Sequence, residues 1–218
     1  SIKKIAKITL IVLLVLTSIP TLGLLFLQNK QVQTTVSEYI TKNLSGQLGV
    51  DISVSSVHYS FFKRLQLNNV YIADRSGDTL MYAELCNLQV KHFRPDKKLI
   101  RIRKLSFENA LLQINMDESN NSSLQFFVDS LRRDLPPEEK NVLEINRMEF
   151  IDSRYRRVDP HAQTPPSGVD LKNMEIRDLD IDIRDFRFEA DTTSMRIAAA
   201  SGREPRGFIM QEVAFDLE

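Results

Sequence analysis

Hydrophobic and charged side chains alternate with a period of two over most of the chain after Val50. In residues 179–184 (LDIDIR), aliphatic groups fall on one face of an extended strand and Asp and Arg on the other. Such alternation is typical of a sheet with one dry face and one wet face. We therefore predict a mainly β fold. The predicted strands or strand pairs are 50–58, 65–73, 79–91, 99–116, 143–157, 169–190, 193–197 and 208–217.

The alternation shifts by one residue at three places, namely Asn68-Asn69, Lys104 and Asp185. An extra residue in one strand forms a β-bulge, which bends a sheet and increases its twist. The pattern therefore predicts a curved, one-sided amphipathic sheet.

A weak internal repeat runs through the predicted strands. Its copies are 65–72 (LQLNNVYI), 105–112 (LSFENALL) and 148–155 (MEFIDSRY), each with an apolar pair, a polar break and more strand. Units of this kind extend a structure in one direction, as in solenoids. Because residues 213–217 still follow a strand pattern, we expect the sequence to be the N-terminal piece of a longer chain.

Residues 8–27 carry no charge and are long enough, at about 1.5 Å per residue, to cross a bilayer as a helix. Lys3, Lys4 and Lys7 precede this segment, whereas only Lys30 follows within a dozen residues, which predicts a cytoplasmic N-terminus and export of the rest. A cleaved signal peptide is the alternative, but no A-x-A site follows the segment, so we favour an uncleaved anchor. Representative span residues are Ile8, Leu13, Leu16, Leu22 and Leu27.

The domain organisation follows from these patterns. We expect an anchor at 1–28, an amphipathic helix at 29–48, and the start of a β-groove at 49–218 with one inserted helix at 122–133. Ser122 and Gln125 form a capping-box pattern at the start of the inserted helix. The apolar stripe of the 29–48 helix either caps a core or lies on the membrane surface, and its scarcity of Lys and Arg favours the core. Polar loops are expected at 134–141, 158–168 and 201–207.

Several functional classes are disfavoured by composition. The 29 basic and 29 acidic residues balance, which argues against nucleic-acid binding, and neither GxGxxG nor a P-loop occurs. The single cysteine, Cys86, and the three scattered histidines offer no predicted metal cluster or catalytic set. We therefore predict no enzymatic activity, cofactor or metal.

Two charged clusters have a functional and a structural interpretation. Asp178, Asp180 and Asp182 could bind a cation, but their spacing puts them in a row beside Arg177 and Arg184, which favours a solvated strand face. A basic run at 94–104 could attract anionic headgroups. An outward strand face balanced by acids elsewhere is the favoured interpretation of this run.

Three segments together resemble the N-terminal region of the TamB family in the AsmA-like group, in its Bacteroidota form. They are 27–33 (LQNKQVQ), 48–54 (LGVDISV) and the hairpin at 72–83. The resemblance implies an inner-membrane subunit of the translocation and assembly module, with a U-shaped periplasmic β-groove (a β-taco) that is apolar inside. Members are proposed to carry phospholipid toward the outer membrane, or to assist outer-membrane biogenesis with an Omp85-type barrel partner.

The alternation and the resemblance together predict a lipid-binding groove. A dry sandwich core is the alternative interpretation of the same side chains. The residues predicted to face lipid are Leu105, Phe107, Phe150, Leu179, Ile181, Ile183, Phe186 and Phe188.

Overall fold

The computed structural model describes residues 38, 41–42, 45, 50–60, 64–94, 99–133, 142–163, 165, 168–189, 192–211 and 213–217. The predicted membrane span at 8–27, most of the 29–48 helix and the loop at 134–141 lie outside these residues. Residues 38, 41, 42 and 45 have helical backbone. Within the described part of the chain, no helix combines the length and apolarity needed to cross a membrane.

The protein is mainly β, as predicted, and its strands form one curved, unclosed sheet. Eight strands lie side by side in chain order from β1 to β8, and a ninth, β9, pairs with β7. The strands are β1 (Ile52–Ser60), β2 (Arg64–Ala73), β3 (Thr79–Arg94), β4 (Leu99–Asn115), β5 (Val142–Val158), β6 (Met174–Phe188), β7 (Thr193–Arg203), β8 (Ile209–Met210) and β9 (Phe215–Leu217).

One pair of neighbouring strands, β4 and β5, is parallel, whereas the other pairs are antiparallel. Parallel neighbours require a crossover connection rather than a tight hairpin. Helix α1 (Ser123–Arg133) lies in this crossover. The Ser122 hydroxyl accepts a hydrogen bond from the Gln125 N–H at 3.0 Å, and the Ser123 hydroxyl accepts one from the N–H of Asn115 in β4, also at 3.0 Å. The capping residues therefore also attach the helix to the end of β4.

Some strand boundaries differ from the predicted ones. The strand predicted at 169–190 begins only at Met174, because the Asp170 carboxylate accepts hydrogen bonds from the N–H groups of Lys172 and Asn173 and closes a turn. Strand β7 continues to Arg203, into the loop predicted at 201–207. The strand predicted at 208–217 is divided into β8 and β9.

Positive φ angles mark the changes of phase within the strands. Asn69, Asn109 and Asp152 have φ of 49°, 50° and 46° and occupy the same position in the three repeat copies. Asp178 and Asp185 in β6 are similar, with φ of 47° and 54°. Asn and Asp tolerate this left-handed conformation better than other non-glycine residues. A third predicted shift, at Lys104, coincides with a register shift between β3 and β4.

Strands β4 and β5 change phase together, so they keep one register along their whole ladder. Leu99 pairs with Val142 at one end of the β4–β5 ladder and Asn115 pairs with Val158 at the other, so the offset between partners is the same at both ends. That offset equals the spacing of Phe107 and Phe150 in the sequence repeat. The repeat therefore corresponds to equivalent positions on two neighbouring strands.

The hydrophobic core lies on one face of the sheet. Val54, Val57, Val70 and Cys86 are buried together, and Leu65, Leu67, Leu105 and Phe107 pack against them. All nine described strands belong to the same sheet, and α1 packs mainly against β4. Within the described residues, these small buried side chains contact larger neighbours on their own face.

Candidate functional site

The candidate site is the apolar face of the sheet, the face that carries the Val54–Cys86 cluster. Ladder partners on this face form continuous rows that cross the strands. One row contains Val57, Leu67, Cys86, Phe107, Phe150, Ile181 and Ala200, with one residue from each strand from β1 to β7. The rings of Phe107 and Phe150 stack at its centre, with centroids 5.0 Å apart and planes inclined by 26°.

A second row lies beside the first and reaches β9. It contains Leu65, Leu88, Leu105, Met148, Ile183, Ile197 and Phe215. Neither row includes a charged residue. A surface of this kind can bind alkyl chains by hydrophobic and dispersion contacts.

All eight residues predicted to face lipid lie on the apolar face. Phe107, Phe150 and Ile181 belong to the first row, and Leu105 and Ile183 to the second. The remaining three continue the face: Leu179 pairs with Ser153, Phe186 with Ile145, and Phe188 with Leu143. Leu179 and Ile183 are buried, at 6% and 8% exposure, whereas the other six are half-buried.

The prediction omitted row members on the earlier strands. Leu67, Cys86 and Leu88 belong to the same rows as the predicted residues. Their alternation with polar neighbours in β2 and β3 would have identified them. Met148 lies two residues before Phe150 in the third repeat copy, so the alternation places both on the same face.

The opposite face is polar and cross-linked by ion pairs. Glu149 is buried between Lys104, 2.6 Å away, and Arg147, 2.7 Å away. Arg147 also contacts Asp182 at 3.0 Å, and Arg184 contacts the same carboxylate at 2.7 Å. Burial acts to raise the pKa of Asp182, but hydrogen bonds from Arg184 and Arg147 outweigh it and hold the pKa below its usual value. These pairs link β4, β5 and β6 on this face.

The three aspartates considered as a cation site each have a protein partner. Asp182 pairs with two arginines as above, Asp178 pairs with Arg203, and the Asp180 carboxylate accepts a hydrogen bond from the N–H of Asp152 at 2.9 Å. No group of three or more potential metal ligands occurs among the described residues. These contacts agree with the interpretation of a solvated strand face.

The basic run at 94–104 lies only in part within the described side chains. Arg101 pairs with Glu144 at 2.6 Å, and Lys104 pairs with Glu149. Residues 95–98 are outside the described chain. Two described charges of the run, Arg101 and Lys104, are therefore compensated by acids on the neighbouring strand.

Toward the C-terminal end of β5 the apolar face carries the polar side chains of Ser153 and Tyr155. The buried Ser153 hydroxyl donates to the Ile151 carbonyl at 3.0 Å and accepts from the Ala110 N–H at 3.2 Å, which satisfies backbone groups where the strands change phase. Burial raises the pKa of the Tyr155 phenol, and the positive charge of nearby Arg157 acts against this rise. This end of the face thus combines apolar, hydroxyl and cationic groups.

Comparison of the sequence and the structure with known proteins finds no significant similarity. The chain matches no protein-family model, and no curated protein or solved structure is significantly similar to it. The likeness to the TamB and AsmA-like group therefore depends on the three sequence segments described above.

Proposed function

We propose that this protein is a non-enzymatic, inner-membrane-anchored periplasmic protein that carries phospholipid acyl chains toward the outer membrane. In this proposal residues 8–27 span the membrane with the N-terminus in the cytoplasm. The apolar face forms the inside of a U-shaped groove, or β-taco. The single observation that carries the proposal is the pair of uncharged rows that cross seven strands on one face of the sheet.

The energetics favour such a surface for lipid movement. Exposing an acyl chain of about 15 methylenes to water costs roughly 12 kcal/mol, at about 0.8 kcal/mol per methylene. A continuous apolar surface removes most of this cost without ATP or a catalytic group.

The dimensions of the rows suit one acyl chain. Seven neighbouring strands about 4.8 Å apart make a row roughly 29 Å long. One leaflet contributes about half of the roughly 30 Å hydrocarbon core of a bilayer. An acyl chain can therefore lie along a row without meeting a charged side chain.

Site-specific photocrosslinking in the intact cell envelope tests this proposal. A photoreactive phenylalanine analogue would replace Phe107, Ile183 or Phe188 in the full-length protein. Matched controls would carry it at Glu108 and Arg187, which neighbour two of these positions in sequence but lie on the polar face. We expect phospholipid adducts at the first three positions and few at the controls. Equal capture on both faces, or no lipid adduct on the apolar face, would refute lipid transport.

A second candidate is an envelope assembly factor that assists insertion of outer-membrane proteins with an Omp85-type barrel partner. Strand β9 favours it, because Phe215 and Leu217 are 45% and 44% exposed and β9 pairs only with β7 among the described strands. A free strand edge can bind another polypeptide by strand addition. Polypeptide adducts at Phe107, Ile183 and Phe188 without phospholipid would favour this function.

A further inference from the structure

Among the residues of the described strands that have a ladder partner, Arg157 is the one charged residue on the apolar face. It pairs with Ile114 on β4 and with Met174 on β6, one step beyond the row of Leu112, Tyr155 and Ile176. Its neighbour Arg156 pairs with Gln113 and Glu175 on the polar face. The two adjacent arginines therefore project to opposite faces of the sheet.

The guanidinium of Arg157 lacks partners in the described part of the protein. Its Nε is buried and forms no hydrogen bond there, and no described carboxylate pairs with it. By contrast, Arg147 on the polar face contacts both Glu149 and Asp182. Buried donors normally have a partner, so the Nε of Arg157 is an unsatisfied donor in a side chain that is half-buried overall. The unfilled hydrogen-bonding capacity of Arg157 therefore points to an anionic ligand.

The location of Arg157 determines what kind of anion fits. Beyond this residue β5 ends at Val158, so Arg157 lies where the apolar face reaches the end of a strand. Tyr155, two residues earlier on the same face, is half-buried, and the positive charge of Arg157 acts to lower its pKa. A ligand with an oxyanion attached to a hydrocarbon chain can satisfy both parts of this surface. Guanidinium groups suit phosphate because they present paired donors in a planar fork.

We propose that Arg157, assisted by Tyr155, binds the phosphate headgroup of an amphiphile whose acyl chain lies on the apolar face. This inference rests on the proposed function and adds a position for the headgroup. The hydrocarbon rows hold the chain, and Arg157 holds the charged end near the rim of the sheet.

The test compares two lipids that differ only in phosphate. Full-length protein with a photoreactive phenylalanine analogue at Leu112 is purified in maltoside micelles, which contain no phosphate. It is then exposed to phosphatidate or to diacylglycerol with the same acyl chains, and the adducts are quantified by intact-mass spectrometry. We expect wild-type Arg157 to favour phosphatidate about tenfold, equivalent to about 1.4 kcal/mol.

Two matched variants identify the source of this preference. R157M should reduce the ratio of phosphatidate to diacylglycerol adducts to about one, while R156M, with the same change on the opposite face, should retain it. Because R157M removes an unpaired charge from an apolar face, it should melt no lower than wild type, as measured by circular dichroism. An unchanged ratio in R157M, or an equal fall in both variants, would overturn the headgroup site.

Two further outcomes separate this inference from others. If inorganic phosphate at the same concentration as the lipid abolishes the preference, the site binds free phosphate and the headgroup assignment is wrong. If the analogue at Phe107 captures neither lipid, the groove proposal itself fails. Capture at Phe107 with no phosphate preference at Leu112 overturns the Arg157 site alone.

Discussion

Asn109 provides a direct test of how the sheet changes phase. This residue has φ of 50° in the interior of β4, and its side-chain amide donates to the Glu84 carboxylate at 2.8 Å. N109V replaces it with a β-branched residue that strongly disfavours positive φ. The conformational cost is about 1–2 kcal/mol, and losing the exposed hydrogen bond adds roughly 0.5 kcal/mol. We therefore expect the free energy of unfolding to fall by about 2 kcal/mol.

The assay is thermal unfolding of the full-length protein in detergent, followed by far-ultraviolet circular dichroism. For a protein of this size, each 1 kcal/mol changes Tm by about 2–4 °C, so N109V should lower Tm by about 4–8 °C. N109G loses the same hydrogen bond but adopts positive φ freely. E84A removes the hydrogen bond without altering the backbone preference at position 109.

The reasoning requires a particular order among these variants. N109G and E84A should both remain within about 1 kcal/mol of wild type, and only N109V should fall clearly below them. Equal melting temperatures for the valine and glycine variants would show that the left-handed backbone is not what positions the phase change.

Three further outcomes follow from individual contacts. A Cβ added at Gly202 would lie 2.6 Å from Ile176 Cγ2, so G202A should lower stability by about 1–3 kcal/mol, and the additional substitution I176A should recover part of that loss in a double-mutant cycle. The pKa of Asp182 is lowered in the folded protein, so the ionised carboxylate contributes its full stabilisation above about pH 4, the ordinary Asp pKa. This stabilisation is lost as the pH falls through the folded-state pKa. D182N should therefore weaken the acid dependence of Tm. Burial raises the pKa of Cys86 to about 12, so the thiol of the folded protein should resist iodoacetamide at neutral pH. The same thiol should react after unfolding in urea. Rapid labelling of the folded protein would contradict the burial of Cys86.

The face of the sheet on which the eight residues predicted to face lipid lie could be predicted, because it depends on local alternation. Phe107 and Phe150 occur at equivalent places in two repeat copies, and the structure pairs them across β4 and β5. The shift at Asn68-Asn69 appears in the sequence as two consecutive polar residues. The shift at Asp185 appears as a charged residue that interrupts the alternation between Ile183 and Phe186. A side chain's face within one strand follows from the pleat, which requires no knowledge of distant residues.

The position of Arg157 could not be predicted in this way. Counting alternate residues from Phe150 along β5 places Arg156 on the apolar face and Arg157 on the polar face. The left-handed backbone at Asp152 reverses this assignment, and the sequence pattern around Asp152 did not identify that shift. Pairing with Ile114 and Met174 reveals the actual face.

The amino-acid sequence by itself determined the β character, the amphipathic faces and the capped helix near Ser122, because each depends on neighbours within a few residues. The tertiary structure decided that β4 and β5 run parallel, that β6 begins at Met174, and that residues from seven strands align in uncharged rows. These features depend on hydrogen-bond register between strands far apart in the chain. Many registers satisfy the alternation of one strand, but only those that keep all the strands in phase bury the apolar face.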